Sequence, residues 1–158
     1  MMKKRILFQG DSITDCGRNR EEFYHTGNGY ARMVSGSLGL DHPGEYEFIN
    51  RGISGNRIVD LYARIKVDCW NLEPDVISIL LGVNDVWHEW TKKNGVCAEK
   101  FERIYDMLIT EIKEALPNIK IMILEPFVLP GSATESTEEQ PGRYEYFREQ
   151  TALRARAA

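Results

Sequence analysis

With 158 residues, 42% of them hydrophobic and 28% charged, the chain fits one compact domain spanning 1–158 and excludes the disordered and fibrous classes. A formal net charge of −4, with 20 Lys and Arg scattered except at Lys3, Lys4 and Arg5, excludes the basic footprint of a nucleic-acid binder. No segment is long enough and apolar enough to span a bilayer, and the run from Ile6 to Phe8 is too short for a signal-peptide core, so no membrane partner is expected.

Three cysteines, Cys16, Cys69 and Cys97, form an odd set without C-x-x-C spacing, which argues against a disulfide framework and a zinc site and favours the cytoplasm. The three histidines, His25, His42 and His88, lack the i, i+4 pairing or acidic clustering of a metal site.

In chain order, residues 5–9 predict a short buried strand stopped by Gly10. Residues 28–38 predict a helix with Gly39 as its stop. Residues 45–50 alternate as a second strand, and a loop with Gly52, Ser54 and Gly55 follows. Ile58, Leu61, Ile65 and Leu72 keep helical spacing over 57–72, with Asn56 as N-cap. The β-branched run 76–81 reads as a strand covered on both faces.

Phe101, Ile104, Tyr105, Leu108, Ile109 and Ile112 give the strongest helix, closed by Pro117, and residues 119–124 form a fourth strand. A long polar loop over 126–142 precedes a helical segment from 143 to the last residue. Strands alternating with helices place the chain in the α/β class with a doubly wound parallel sheet, in which sites lie beyond the carboxyl ends of the strands.

Three of those strand ends carry small polar clusters: Gly10-Asp11-Ser12-Ile13, Gly52-Ile53-Ser54-Gly55-Asn56 and Gly82-Val83-Asn84-Asp85. Acyl transfer needs an exposed nucleophile on a tight turn and donors aimed at the developing oxyanion. Ser12 meets the first need; the Ser12 amide, the Gly55 amide and the Asn84 carboxamide meet the second. Each cluster alone also reads as a turn with a helix cap. Their joint arrangement on one rim is the clue.

Together these clusters, with Thr14 and Asp15 extending the first, resemble the first three blocks of the SGNH, or GDSL-type, esterase family. Ile13 stands where the family usually has Leu, and the similarity extends to about residue 131 through Glu125-Pro126-Phe127. The stretches 11–18, 27–30, 50–56 and 82–87 look most like the intracellular acetylxylan esterases within it.

The resemblance implies a three-layer α/β/α, flavodoxin-like sheet of five strands. It also implies Ser12 as nucleophile, with Gly55 and Asn84 completing the oxyanion hole and Asp11 and Asp85 in support. No cofactor or metal is implied. The substrates would be short-chain esters such as acetylated sugars or oligosaccharides, cleaved through an acyl-serine intermediate. Tyr30, Trp87, Trp90 and His88 lie near the motifs and are pocket candidates, although aromatic residues there serve equally as core or surface.

The family's fourth block, an Asp-x-x-His, has no counterpart in the sequence. The expectation is therefore a sheet lacking the final strand, impaired turnover, and residues 119–124 left as an apolar edge. A non-catalytic small-molecule or anion-binding module is the alternative reading, and a homo-oligomer is left open.

Overall fold

The alternating pattern resolves, in a computed structural model that describes residues 3–158, into four strands and six helices. They run β1 (Lys4–Gly10), α1 (Ser12–Asp15), α2 (Tyr30–Asp41), β2 (Tyr46–Asn50), α3 (Ile58–Asp68), β3 (Val76–Leu80), α4 (Val83–Lys92), α5 (Ala98–Ala115), β4 (Lys120–Leu124) and α6 (Arg143–Ala157). The strands are all parallel, in the order β2-β1-β3-β4. Gly10 stands opposite Leu80, which stands opposite Leu124, so three strands end level on one rim.

Side-chain alternation divides the sheet between two layers. Leu7, Ile49, Ile77 and Ile79 face α3 and α5 in the larger core, where Leu61, Ile65, Phe101, Tyr105, Leu108 and Ile112 are buried. The buried residues of α5 fall at i, i+4, i+7 and i+11, one stripe of a 3.6-residue period. On the opposite face Ile6 and Phe8 meet Ala31 of α2, with Tyr30 and Phe48 packed around them. α6 docks through Phe147, whose ring centroid lies 4.9 Å from that of Trp87 and 6.1 Å from that of Trp90.

Several boundaries differ from expectation. The second helix passes through Gly39 to Asp41, because an exposed glycine only weakens a helix; the stop comes at His42, which precedes Pro43 and leaves the helical region. The helix expected over 57–72 ends at Asp68 and gives way to a 3₁₀ turn at Trp70–Leu72. Its cap is Arg57 rather than Asn56, since the Asp60 carboxylate accepts from the Arg57 amide at 2.8 Å.

Helix α4 was not foreseen. Val83, Val86, Trp87 and Trp90, at i, i+3, i+4 and i+7, were the signal for it. β4 is an edge strand, with Met122 56% and Ile123 36% exposed. Among the described residues no helix is long and apolar enough to cross a membrane, and the three cysteines are unpaired.

Candidate active site

The three polar clusters are stitched into one patch on the level rim. The first and second are joined by the Ile53 amide donating to the Gly10 carbonyl at 3.0 Å. The Ser54 amide and hydroxyl add to this by donating to Asp15 Oδ2 at 3.0 and 3.1 Å. Buried Asn50 shapes the turn from inside: its side-chain oxygen accepts from the Gly52 amide at 2.8 Å and its Nδ2 donates to the Thr14 carbonyl at 2.6 Å. A Cβ on Gly52 would lie 2.4 Å from the Asp15 nitrogen, so only glycine lets this turn sit against α1.

The second and third clusters are joined by Asn84 Nδ2, which donates to the Asn56 carbonyl at 3.2 Å. The neighbouring carboxylate of Asp85 accepts from the Ile58 amide at 3.1 and 3.3 Å, capping α3 from across the loop. Between these ties, Gly55 adopts φ +84 with open space where a side chain would be.

Ser12 opens α1 and is exposed, with Asp11 as N-cap accepting from the Ile13 amide at 3.0 Å. The amides of Ser12 and Gly55 donate to no acceptor among the described residues. Asn84 spends one amide proton on Asn56 and retains the other. α3 and α4 begin at the same rim, which adds the positive ends of their dipoles.

Two carboxyls beside these donors are buried. Desolvation pushes Asp11 up to about 6, and its Oδ2 has no hydrogen-bond partner among the described residues. Desolvation pushes Asp85 up to about 7 against the opposing pull of the Ile58 amide, Arg154 and Arg57. Asp15 behaves otherwise: burial raises it, but the Ser54 bonds and the charges of Arg20 and Arg18 hold it below the usual carboxylate range.

The pocket candidates fall in separate places. Tyr30 lies in the smaller core, edge-on to Phe8 at 5.8 Å, its hydroxyl 3.1 Å from Thr14 Oγ1. Trp87 and Trp90 pack with tilted rings against Phe147 and Tyr146 of α6, with Arg143 placed 5.5 Å over the Trp87 ring. His88 stands one turn beyond Asn84 on α4, its pKa lowered by partial burial and by Arg57 and Lys92.

His25 Nδ1 accepts from the Asn19 and Gly27 amides at 3.0 and 3.2 Å, and His42 faces Glu45 at 3.7 Å. No histidine bonds Ser12 among the described residues. The bonds that Asp15, Asn50 and Arg64 make are not legible in the sequence, because their partners are distant in the chain.

The fold that carries this patch has solved counterparts. Residues 8–158 match the GDSL-like lipase/acylhydrolase family. An acetylxylan esterase of Geobacillus stearothermophilus is 37% identical over 153 residues, covering 89% of this chain and 68% of the relative. A crystal structure of the same kind of enzyme from that organism superposes with a TM-score of 0.76 at 34% identity, covering 98% of this chain and 71% of the other.

Catalytic mutants of that esterase replace a serine, an aspartate and a histidine by alanine. A candidate GDSL-like lipase of Parabacteroides merdae superposes with a TM-score of 0.81 at 37% identity, covering 99% of this chain and 76% of that one. With a parallel sheet, a match along nearly its whole length and relatives of one chemistry, the chain belongs to the GDSL-like lipase/acylhydrolase family of carboxylic ester hydrolases.

Proposed function

We propose that the chain hydrolyses short-chain esters, acetylated sugars among them, with Ser12 as the nucleophile. One observation carries the reading: an exposed serine hydroxyl stands on a patch where two backbone amides and one carboxamide proton are uncommitted. Those are the donors that a tetrahedral oxyanion requires. The acetylxylan esterase relatives support acetyl as the acyl group.

In the reaction Ser12 Oγ attacks the ester carbonyl carbon while its proton passes to a base. The oxyanion collects hydrogen bonds from the Ser12 and Gly55 amides and Asn84 Nδ2. Collapse expels the alcohol, which takes the proton, and leaves acetyl-Ser12; water then adds to the acyl carbon, passing a proton to the base, and the Oγ–C bond breaks as Ser12 Oγ takes that proton back and acetic acid departs. Asp11 and Asp85 support the donors by capping α1 and α3. Because no histidine hydrogen-bonds Ser12 among the described residues, slow turnover by these 158 residues is the expectation, with free imidazole able to take the proton.

The test is p-nitrophenyl acetate hydrolysis by the chain and by Ser12→Ala, each with and without imidazole. A Ser12-dependent rate that rises with imidazole, above the imidazole reaction seen with Ser12→Ala, is expected. Identical rates from the two proteins would rule the reading out in favour of a binding module.

A further inference from the structure

The guanidinium of Arg64 reaches three separate segments around the candidate site. It projects from the second turn of α3, and its side chain is only 14% exposed. Nε donates to Asn56 Oδ1 at 2.8 Å. Nη1 lies 2.9 Å from the Arg51 carbonyl, 2.9 Å from Asp68 Oδ2 and 3.1 Å from Gln9 Oε1. Nη2 reaches the Gly10 carbonyl at 3.5 Å. The Gln9 carboxamide closes the circuit by donating to the Asp68 carbonyl at 2.6 Å.

These acceptors mark the last residues of β1 before Asp11 and Ser12, the residue after β2, and the loop holding Gly55. Asn56 has a double role: its side chain is held by Arg64, while its carbonyl receives Asn84 Nδ2 at 3.2 Å. A displacement of the guanidinium therefore moves the nucleophile turn, the Gly55 amide and the seat of the Asn84 carboxamide together. A planar fork with five N–H groups can serve acceptors spread in this way; a lysine ammonium cannot.

We propose that Arg64 is the positioning residue of the site, fixing the Gly55 and Asn84 donors relative to Ser12, an assignment that rests on the hydrolase reading above. It does not touch substrate. It acts through Asn56, Gly10 and Arg51, and its loss degrades the transition state rather than substrate binding.

The experiment compares wild type, Ser12→Ala, Arg64→Lys and Asn56→Ala with p-nitrophenyl acetate in imidazole, alongside circular dichroism and two-dimensional ¹H–¹⁵N spectra. Donors displaced by about 1 Å cost on the order of a hundredfold. Arg64→Lys is expected to lose ten- to a hundredfold in Ser12-dependent kcat with KM within about twofold, and to shift the Gly55 amide and Asn84 side-chain resonances. Asn56→Ala, which removes one of the bonds, loses less in the same direction.

An unchanged kcat in a folded Arg64→Lys protein overturns the proposal whatever the spectra show, and so does a loss confined to KM. If Arg64→Lys does not fold, Asn56→Ala decides by the same criteria. If wild type and Ser12→Ala turn over equally, the hydrolase reading itself falls. The two resonances then decide the clamp alone, a shift supporting it and constancy refuting it.

Discussion

Asn84 Nδ2 donates to the backbone carbonyl of Asn56 at 3.2 Å, so the carboxamide assigned to the oxyanion is already oriented before substrate arrives. Preorganisation of this kind makes a donor effective, because no reorganisation accompanies charge development. Asn84→Ala is expected to lower Ser12-dependent kcat by about 10²- to 10³-fold with little change in KM. Steady-state kinetics on p-nitrophenyl acetate checks this.

Asp85 gives a pH signature of defined sign. Its folded pKa of about 7 lies above the 3.8 of a free aspartate, so between about pH 4 and 7 the folded chain holds a proton that the unfolded chain has lost. Stability contributed by this group falls as pH rises through that window and levels off above it. Asp85→Asn removes the slope while keeping an acceptor for the Ile58 amide. Melting temperatures of both proteins from pH 4 to 8 test it; parallel curves would refute it.

Asp15 runs the other way. Its pKa is held below the 3.8 of a free aspartate, so its bonds to Ser54 and Arg20 stabilise the fold above about pH 4 and are lost as pH falls through the folded value. Asp15→Asn is expected to melt lower than wild type at pH 7, with the gap closing in strong acid. Thermal unfolding at pH 7 and pH 2.5 measures both ends.

Gly52→Ala tests the approach of the second turn to α1. A methyl there would meet the Asp15 nitrogen at 2.4 Å and the Thr14 carbonyl carbon at 2.8 Å, both backbone atoms that cannot rotate away. The expected cost is about 3 kcal/mol or more in urea denaturation, as for an overpacked core. Gly36→Ala, open to solvent on α2, is the control and should be neutral or stabilising.

Much of this was legible in the chain because its signals are local. β1, β3 and β4 are short apolar runs, β2 alternates, and α5 repeats its buried residues in a single stripe. The three clusters sit at strand ends, where a parallel sheet must bring them together. What escaped depends on side chains reaching across the sequence: Asp15 to Ser54, Asn50 to Thr14, and Arg64 to Gly10 and Arg51. Gly39 misled because a glycine predicts an ending only when the backbone needs a left-handed residue there, and its helix continued without one. Asn56 misled in the same manner, its side chain being turned to Arg64 instead of the helix start.

The two sides of the sheet are unequal. Among the described residues fourteen buried ones form the core beneath α3 and α5, whereas only Ile6, Phe8 and Ala31 form the one under α2. Resistance to opening follows from how much apolar surface each layer hides. In hydrogen–deuterium exchange α2 should therefore trade its amide protons long before α5 does, detaching as a separate unit while the sheet and its opposite layer remain closed.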